Sequence, residues 1–251
     1  MDKIVLSIMA HPDDTEFLSA GTLALLKEKG WDVHIATMTA GDCGSVELGS
    51  EQISKIRRNE AANSAGLVNG TYHCLECDDA FVMYDRGTLL KVTGLLRKVR
   101  PAIVFAPSPS DYMVDHEMVS KIVQTACFCV GMPNIDTGEL KAFEAVPYLY
   151  YADAMAGTDK FGDEIRPRIL VDIGSVMKKK EEMLCCHDSQ RKWLKAHHGI
   201  DQYIIAMKEF AEQRGRFADV KYGEGFRQHL GHAYPQDNIL KAELGELVFE
   251  L

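Results

Sequence analysis

The sequence predicts an α/β fold built on a mainly parallel sheet, and three observations carry that expectation. Short, nearly continuous apolar runs recur at residues 4–10, 33–38 and 102–106, the pattern of strands buried on both faces. Stretches of helical periodicity separate them, and such alternation implies strand–helix–strand units with parallel strands. No internal repeat, low-complexity tract or Pro/Gly/Ser-rich linker interrupts the 251 residues. One domain over 1–251 is therefore expected, with a polar tail from about 215 to 251.

Each element has its own justification. Residues 4–10 open the sheet, and 18–29 follow as a helix with Leu23 and Leu26 on one face and Gly30 as terminator. Residues 33–38 form the next strand and run into the glycine-containing loop 40–45. Ser50 is placed to cap a helix over 51–65 that Gly66 closes. A short strand at 72–75, a helix at 89–99 and, after Pro101, a buried strand at 102–106 come next. The clearest amphipathic pattern is 115–130, where Val119, Ile122, Val123, Ala126 and Val130 share a face. Strand-like runs return at 148–151 and 169–172. Ser175 is then the expected cap of a lysine-rich helix to about His187, with Lys178, Lys179 and Lys180 on a solvated face. A helix over 201–214 and an irregular tail complete the reading.

Charge and composition narrow the function classes. The chain has 37 Asp+Glu against 28 Lys+Arg, a net charge of −9, and so lacks the clustered cations that nucleic acid or an anionic membrane requires. No apolar run approaches the roughly 20 residues that span a bilayer. The first apolar run is broken by His11 and Asp13 before it resembles a secretory signal. Seven scattered cysteines, an odd number, read as reduced thiols, and a cytoplasmic protein is expected. Cys74 and Cys77 have zinc-ligand spacing, but no second pair of that kind accompanies them. The sequence also lacks the G-x-S-x-G, Walker and G-x-G-x-x-G motifs of serine hydrolases, P-loop enzymes and dinucleotide binders. Oligomeric state is not legible, and a homo-oligomer is compatible with all of this.

The first strand ends in Ala10-His11-Pro12-Asp13-Asp14-Thr15-Glu16, one imidazole and three carboxylates within six residues. Ligands of open parallel sheets bind beyond the carboxyl ends of strands, where this segment lies. Pro12 stiffens the turn. One Asp would serve as a helix cap, but His-Pro-Asp-Asp together asks for more. The loop after 102–106 leads through Asp115 to His116 at a helix start, on the same sheet edge. Two imidazoles, a carboxylate and an open position make a catalytic Zn²⁺ site, and the same set suits Fe²⁺ or another divalent metal.

Ala-His-Pro-Asp-Asp followed closely by Glu, with a later Asp-His pair opening a helix, resembles the LmbE/PIG-L family of zinc-dependent N-acetylglucosaminyl deacetylases. Further matches are Thr39-Ala40-Gly41-Asp42, Arg57-Arg58-Asn59-Glu60, Cys186-His187-Asp188-Ser189-Gln190 and Glu224-Gly225-Phe226-Arg227-Gln228-His229, so the resemblance covers most of 4–230. It implies a Rossmann-like sheet sandwiched by helices, with the metal site at the carboxyl ends of the strands. It implies that His11, Asp14 and His116 bind the metal and that Asp13 is the general base. The implied reaction is removal of acetyl from an N-acetylglucosamine-type sugar or conjugate, a small-molecule partner.

Arg57, Arg227 and His229 are the expected substrate-binding residues, although Arg57 could instead pair with Glu60 one helical turn on. His187, on an apolar helix face, reads more readily as a core histidine. The chain departs from the family at Met113-Val114-Asp115-His116, where the family commonly has His-x-Asp-His. Met can neither protonate a leaving group nor donate to an oxyanion. Tyr112, His229 and His232 are the substitutes the sequence offers. A non-catalytic amino-sugar-binding protein and a metallo-phosphoesterase are the alternatives in other function classes.

Overall fold

A computed structural model gives the fold of the chain and describes residues 2–143, 145–191 and 202–251. Eight strands form one sheet: β1 (Ile4–Met9), β2 (Asp32–Thr39), β3 (Thr71–Cys77), β4 (Ile103–Ala106), β5 (Tyr148–Ala152), β6 (Ile169–Asp172), β7 (Gly223–Gln228) and β8 (Val248–Glu250). Their order is β3-β2-β1-β4-β5-β7-β6-β8. Strands β1 to β5 pair in parallel, whereas β7 runs antiparallel to both β5 and β6, and β8 antiparallel to β6. The sheet is therefore mixed, with a parallel core, as the apolar runs predicted.

The sheet is covered on both faces because its strands are apolar on both. In β1, Val5 and Met9 join one hydrophobic cluster, with Leu23 and Leu26 of α2 (Ala20–Glu28) and Met183 of α6 (Met177–Leu184). Leu6 and Ile8 join the other, with Leu96 of α4 (Arg86–Val99) and Val119, Ile122 and Val123 of α5 (Val114–Cys129). Fully burying each such side chain is worth about 1.5–3 kcal/mol.

Helix α1 (Asp14–Leu18) is separate from α2, since Ser19 at φ −145° breaks the single helix expected over 18–29. Lys29 and Gly30 close α2, and Gly30 takes φ +82°, the left-handed conformation that glycine adopts without a Cβ clash. Helix α3 (Ser50–Gly66) begins after Gly49 rather than being capped by the Ser50 side chain, and continues through Gly66.

The later part of the chain differs most from expectation. The lysine-rich helix stops at Leu184, short of His187, and a 3₁₀ turn over Gly174–Val176 precedes it in place of a Ser175 side-chain cap. Lys180 is not on a solvated face: it is buried and ion-pairs with Glu224 at 2.6 Å. Helix α7 (Gln202–Gly215) matches the expected helix, whose predicted first residue, Asp201, lies outside the described residues. The tail expected to be irregular supplies β7, α8 (Ile239–Leu244) and β8. No helix among the described residues is long and apolar enough to cross a membrane.

Candidate active site

Strand order reverses at β1, whose neighbours β2 and β4 lead the chain toward opposite ends of the sheet. The loops leaving β1 and β4 thus diverge from adjacent strand ends and open the crevice in which α/β sheets bind ligands. His11, Asp13 and Asp14 stand at the end of β1, and Asp111, Asp115 and His116 follow β4.

Asp13 has φ +99° and ψ −24°, a left-handed conformation for a residue with a Cβ, costing about 1–3 kcal/mol. Arg57 of α3 holds this turn. It is buried, its Nη2 donates to Pro12 O at 2.8 Å, and its Nη1 donates to Gly41 O at 3.3 Å. The approach requires glycine at position 41, since a Cβ there would sit 2.3 Å from Arg57 Nη1. Arg57 does not turn to Glu60, which instead accepts from Ser189.

His11, Asp14 and His116 each offer a ligand atom, and the three atoms lie within 4.8 Å of one another. All three residues are buried, His116 completely. Asp14 Oδ2 is 3.5 Å from His11 Nδ1 and 3.3 Å from His116 Nε2. The other nitrogen of each ring faces further carboxylates. His11 Nε2 is 2.9 Å from Asp79 Oδ1 and 3.3 Å from Asp115 Oδ2, and His116 Nδ1 is 3.2 Å from Asp111 Oδ2. Neither His116 nitrogen makes a well-directed hydrogen bond among the described residues.

The electrostatics agree with this geometry. Burial opposes charge on the His11 ring, but Asp115, Asp14 and Asp79 together raise its pKa well above the ordinary 6.5. Against the same burial, Asp14 and Asp111 raise His116 to about 10. Burial alone would push Asp14 up, yet the His116 charge and the His11 hydrogen bond hold it well below the usual carboxylate range. The pocket thus favours positive charge at its centre. Two ring nitrogens and a carboxylate, oriented from behind by other carboxylates, match what a divalent cation such as zinc or iron(II) requires.

Asp13 lies beside this set. The Tyr203 hydroxyl, from the first turn of α7, donates to Asp13 Oδ2, and Arg57 Nη2 stands 3.6 Å from Oδ1. Burial raises the Asp13 pKa, with Arg57 opposing. Glu16 accepts from Ser64 Oγ at 2.5 Å and is 3.3 Å from His187 Nε2, so His187 is a fully buried histidine paired with a carboxylate.

The remaining expected residues are more dispersed. Arg227 pairs with Tyr151 across the sheet, one residue from the carboxyl end of β5, and donates to Ser108 Oγ at 2.7 Å. His229 lies farther back, its backbone N–H on Leu149 O. Its ring is engaged by the Tyr151 hydroxyl at 2.9 Å and packs on the Tyr234 ring at 4.1 Å. Its recorded contacts are not with the His11–Asp14–His116 group. Asp79, Asp111 and Tyr203 were not among the expected site residues. Asp79 and Asp111 follow strands on the same sheet edge, a signal that was available. Tyr203, 190 positions from Asp13, had none.

Residues 6–127 match the family described as PIG-L, GlcNAc-PI de-N-acetylase. Over 234 residues the chain is 29% identical to the diacetylchitobiose deacetylase of Thermococcus kodakarensis, covering 90% of this chain and 82% of that one. It is also 26% identical to the 4-oxalmesaconate hydratase of Pseudomonas putida, covering 75% of this chain and 74% of that one. Among solved structures, the N,N'-diacetylchitobiose deacetylase of Pyrococcus horikoshii superposes with a TM-score of 0.78 at 26% identity, over 94% of this chain and 88% of that one. The chain is thus similar to the PIG-L family over residues 6–127 and, along most of its length, to relatives that include diacetylchitobiose deacetylases.

Proposed function

We propose that this protein is a divalent-metal-dependent N-deacetylase that hydrolyses the acetamide of an N-acetylglucosamine-type sugar or conjugate. The observation that carries the reading is the buried convergence of His11, Asp14 and His116 with Asp13 alongside. The deacetylase relatives supply the substrate class.

His11, Asp14 and His116 would hold the cation, zinc by default or iron(II). When bound, such an ion polarises the acetyl carbonyl and lowers the pKa of an adjacent water. Asp79 and Asp115 fix the His11 ring, and Asp111 fixes His116. Asp13 accepts the proton of the attacking water. Its burial raises its pKa, which makes it a better base than a solvated carboxylate. Arg57 secures the turn that presents Asp13, and Arg227 offers N–H groups at the same sheet edge to a sugar hydroxyl or an anionic substituent.

The test is acetate release from N-acetylglucosamine, diacetylchitobiose and related glycosides by protein loaded with Zn²⁺ or Fe²⁺. Wild type should release acetate, and Asp13→Ala should lower kcat by about 10²–10⁴-fold without loss of metal. Acetate release by Asp13→Ala at the wild-type rate would remove Asp13 as base. The hydratase relative supports a second chemistry, addition of water to an unsaturated acid. Consumption of such a substrate with no acetate formed from any N-acetyl sugar would replace the first reading.

A further inference from the structure

Amide cleavage needs a proton donor as well as a base. The amine leaves only when its nitrogen is protonated, since an amide anion is far too basic to depart. The loop before α5 does not supply the donor at Met113, whose thioether carries no proton. Tyr112 beside it is 56% exposed. The His229 ring is engaged by Tyr151 and Tyr234.

Tyr203 differs from all three. Its hydroxyl donates directly to Asp13 Oδ2, the carboxylate that receives the water proton in the deacetylase reading. The side chain is 9% exposed and belongs to the hydrophobic cluster with Leu18 and Met207. Its ring lies 6.3 Å from that of Phe17, so packing fixes the hydroxyl in place. The other Asp13 oxygen faces Arg57 at 3.6 Å. Asp13 therefore has one oxygen near a permanent cation and the other joined to a hydroxyl that can both give and receive a proton. Burial and the Asp13 charge push the phenol pKa well up, so Tyr203 begins the cycle protonated.

Resting on that reading, we propose that Tyr203 is a catalytic residue that relays the proton from Asp13 to the departing amine nitrogen. Water loses one proton to Asp13 as its oxygen bonds to the acetyl carbon. When the tetrahedral adduct collapses, the C–N bond breaks and its electron pair stays on nitrogen. Nitrogen takes the Tyr203 proton, and the Tyr203 oxygen takes the proton held on Asp13. Acetate and amine leave, and both side chains return to their starting states. No oxidant or further reactant is needed. Because the burial that disfavours a free phenolate also requires the two transfers to be coupled, Tyr203 would pass the proton on rather than store charge.

The experiment compares wild type and Tyr203→Phe on two acetyl substrates of different leaving-group demand. An N-acetyl amino sugar releases an alkylamine that must be protonated, whereas p-nitrophenyl acetate releases a phenolate that departs unaided. Tyr203→Phe keeps the ring and its packing, and metal content and Tm are measured alongside. The expected result is a kcat on the sugar lower by about 10²–10⁴-fold with KM unchanged, and an ester rate close to wild type. Equal losses on both substrates would make Tyr203 a positioning residue only and overturn the relay. An unchanged kcat on the sugar would overturn it as well, with the deacetylase reading intact. A metal-loaded wild type inert toward every N-acetyl sugar would instead overturn the deacetylase reading, and the relay with it.

Discussion

At the scale of single residues, Asp111 shows how a carboxylate can orient a ring of the candidate metal site. Its Oδ1 accepts from Met113 N at 3.0 Å, and its Oδ2 accepts from Met155 N at 3.0 Å while standing 3.2 Å from His116 Nδ1. The carboxylate is thereby fixed by two backbone donors and in turn fixes the ring, leaving Nε2 toward Asp14. Asp111→Ala should weaken Zn²⁺ binding by about 10–100-fold in a chelator competition, and Asp111→Asn by less because it keeps one oxygen that can accept on the side of Met155 N and His116 Nδ1. Undiminished affinity in Asp111→Ala would mean that packing alone orients His116. His11, Asp13 and Asp14 were legible because their chemistry is contiguous, whereas the Asp111 and Asp79 contacts depend on loops that meet only after the sheet forms. The Arg57 contacts arise in the same way. Helical spacing offers Glu60 as an alternative partner to substrate, but Ser189 engages Glu60 from a distant segment, and two backbone carbonyls take the guanidinium.

At the scale of elements, the parallel strands β1, β2 and β4 announce themselves because each is a local apolar run. Strand β7 does not: Gly223-Glu224-Gly225-Phe226-Arg227-Gln228 contains no β-branched residue, and its second position is a buried carboxylate. What makes that strand possible is non-local. Glu224 accepts from Gly21 N at 2.8 Å, Thr22 N at 2.7 Å and Thr22 Oγ1 at 2.6 Å at the start of α2, and pairs with Lys180. Lys180 Nζ also donates to Phe17 O at 2.7 Å, which joins α6, α1 and β7 behind the Asp13 turn. Lys180→Met should therefore cost about 3 kcal/mol in urea unfolding, the lower end for a broken buried pair, since three donors to Glu224 remain. The loss should shrink in the double variant Lys180→Met, Glu224→Gln, where no carboxylate is left unpaired. A Lys180→Met protein as stable as wild type would show that the remaining donors suffice.

At the scale of the whole molecule, an excess of acidic residues that gives a net charge of −9 acquires a local meaning. Asp14, Asp79, Asp111 and Asp115, from three separate parts of the chain, converge around two imidazoles, and these carboxylates raise the pKa of both rings against the burial that lowers it. The folded chain gathers negative charge at the reversal point of its sheet, where a cation would replace the ring protons as the source of positive charge. A ligand that binds only the folded state at a hundred times its Kd stabilises by about 2.7 kcal/mol. For a chain of this length that corresponds to a rise in Tm of about 5–10 °C. Saturating Zn²⁺ should produce a shift of that size in wild type, and a chelator should reverse it. The shift should diminish as pH falls, because both rings must lose a proton before they can bind a cation. His116→Ala should abolish the shift, since it removes one of the three ligands. Arg227→Ala should retain it, because that residue lies outside the group. A Tm indifferent to Zn²⁺, Fe²⁺ and chelator alike would identify the cluster as a self-sufficient network of His–Asp ion pairs, and metal-assisted chemistry would then have no place in this fold's crevice.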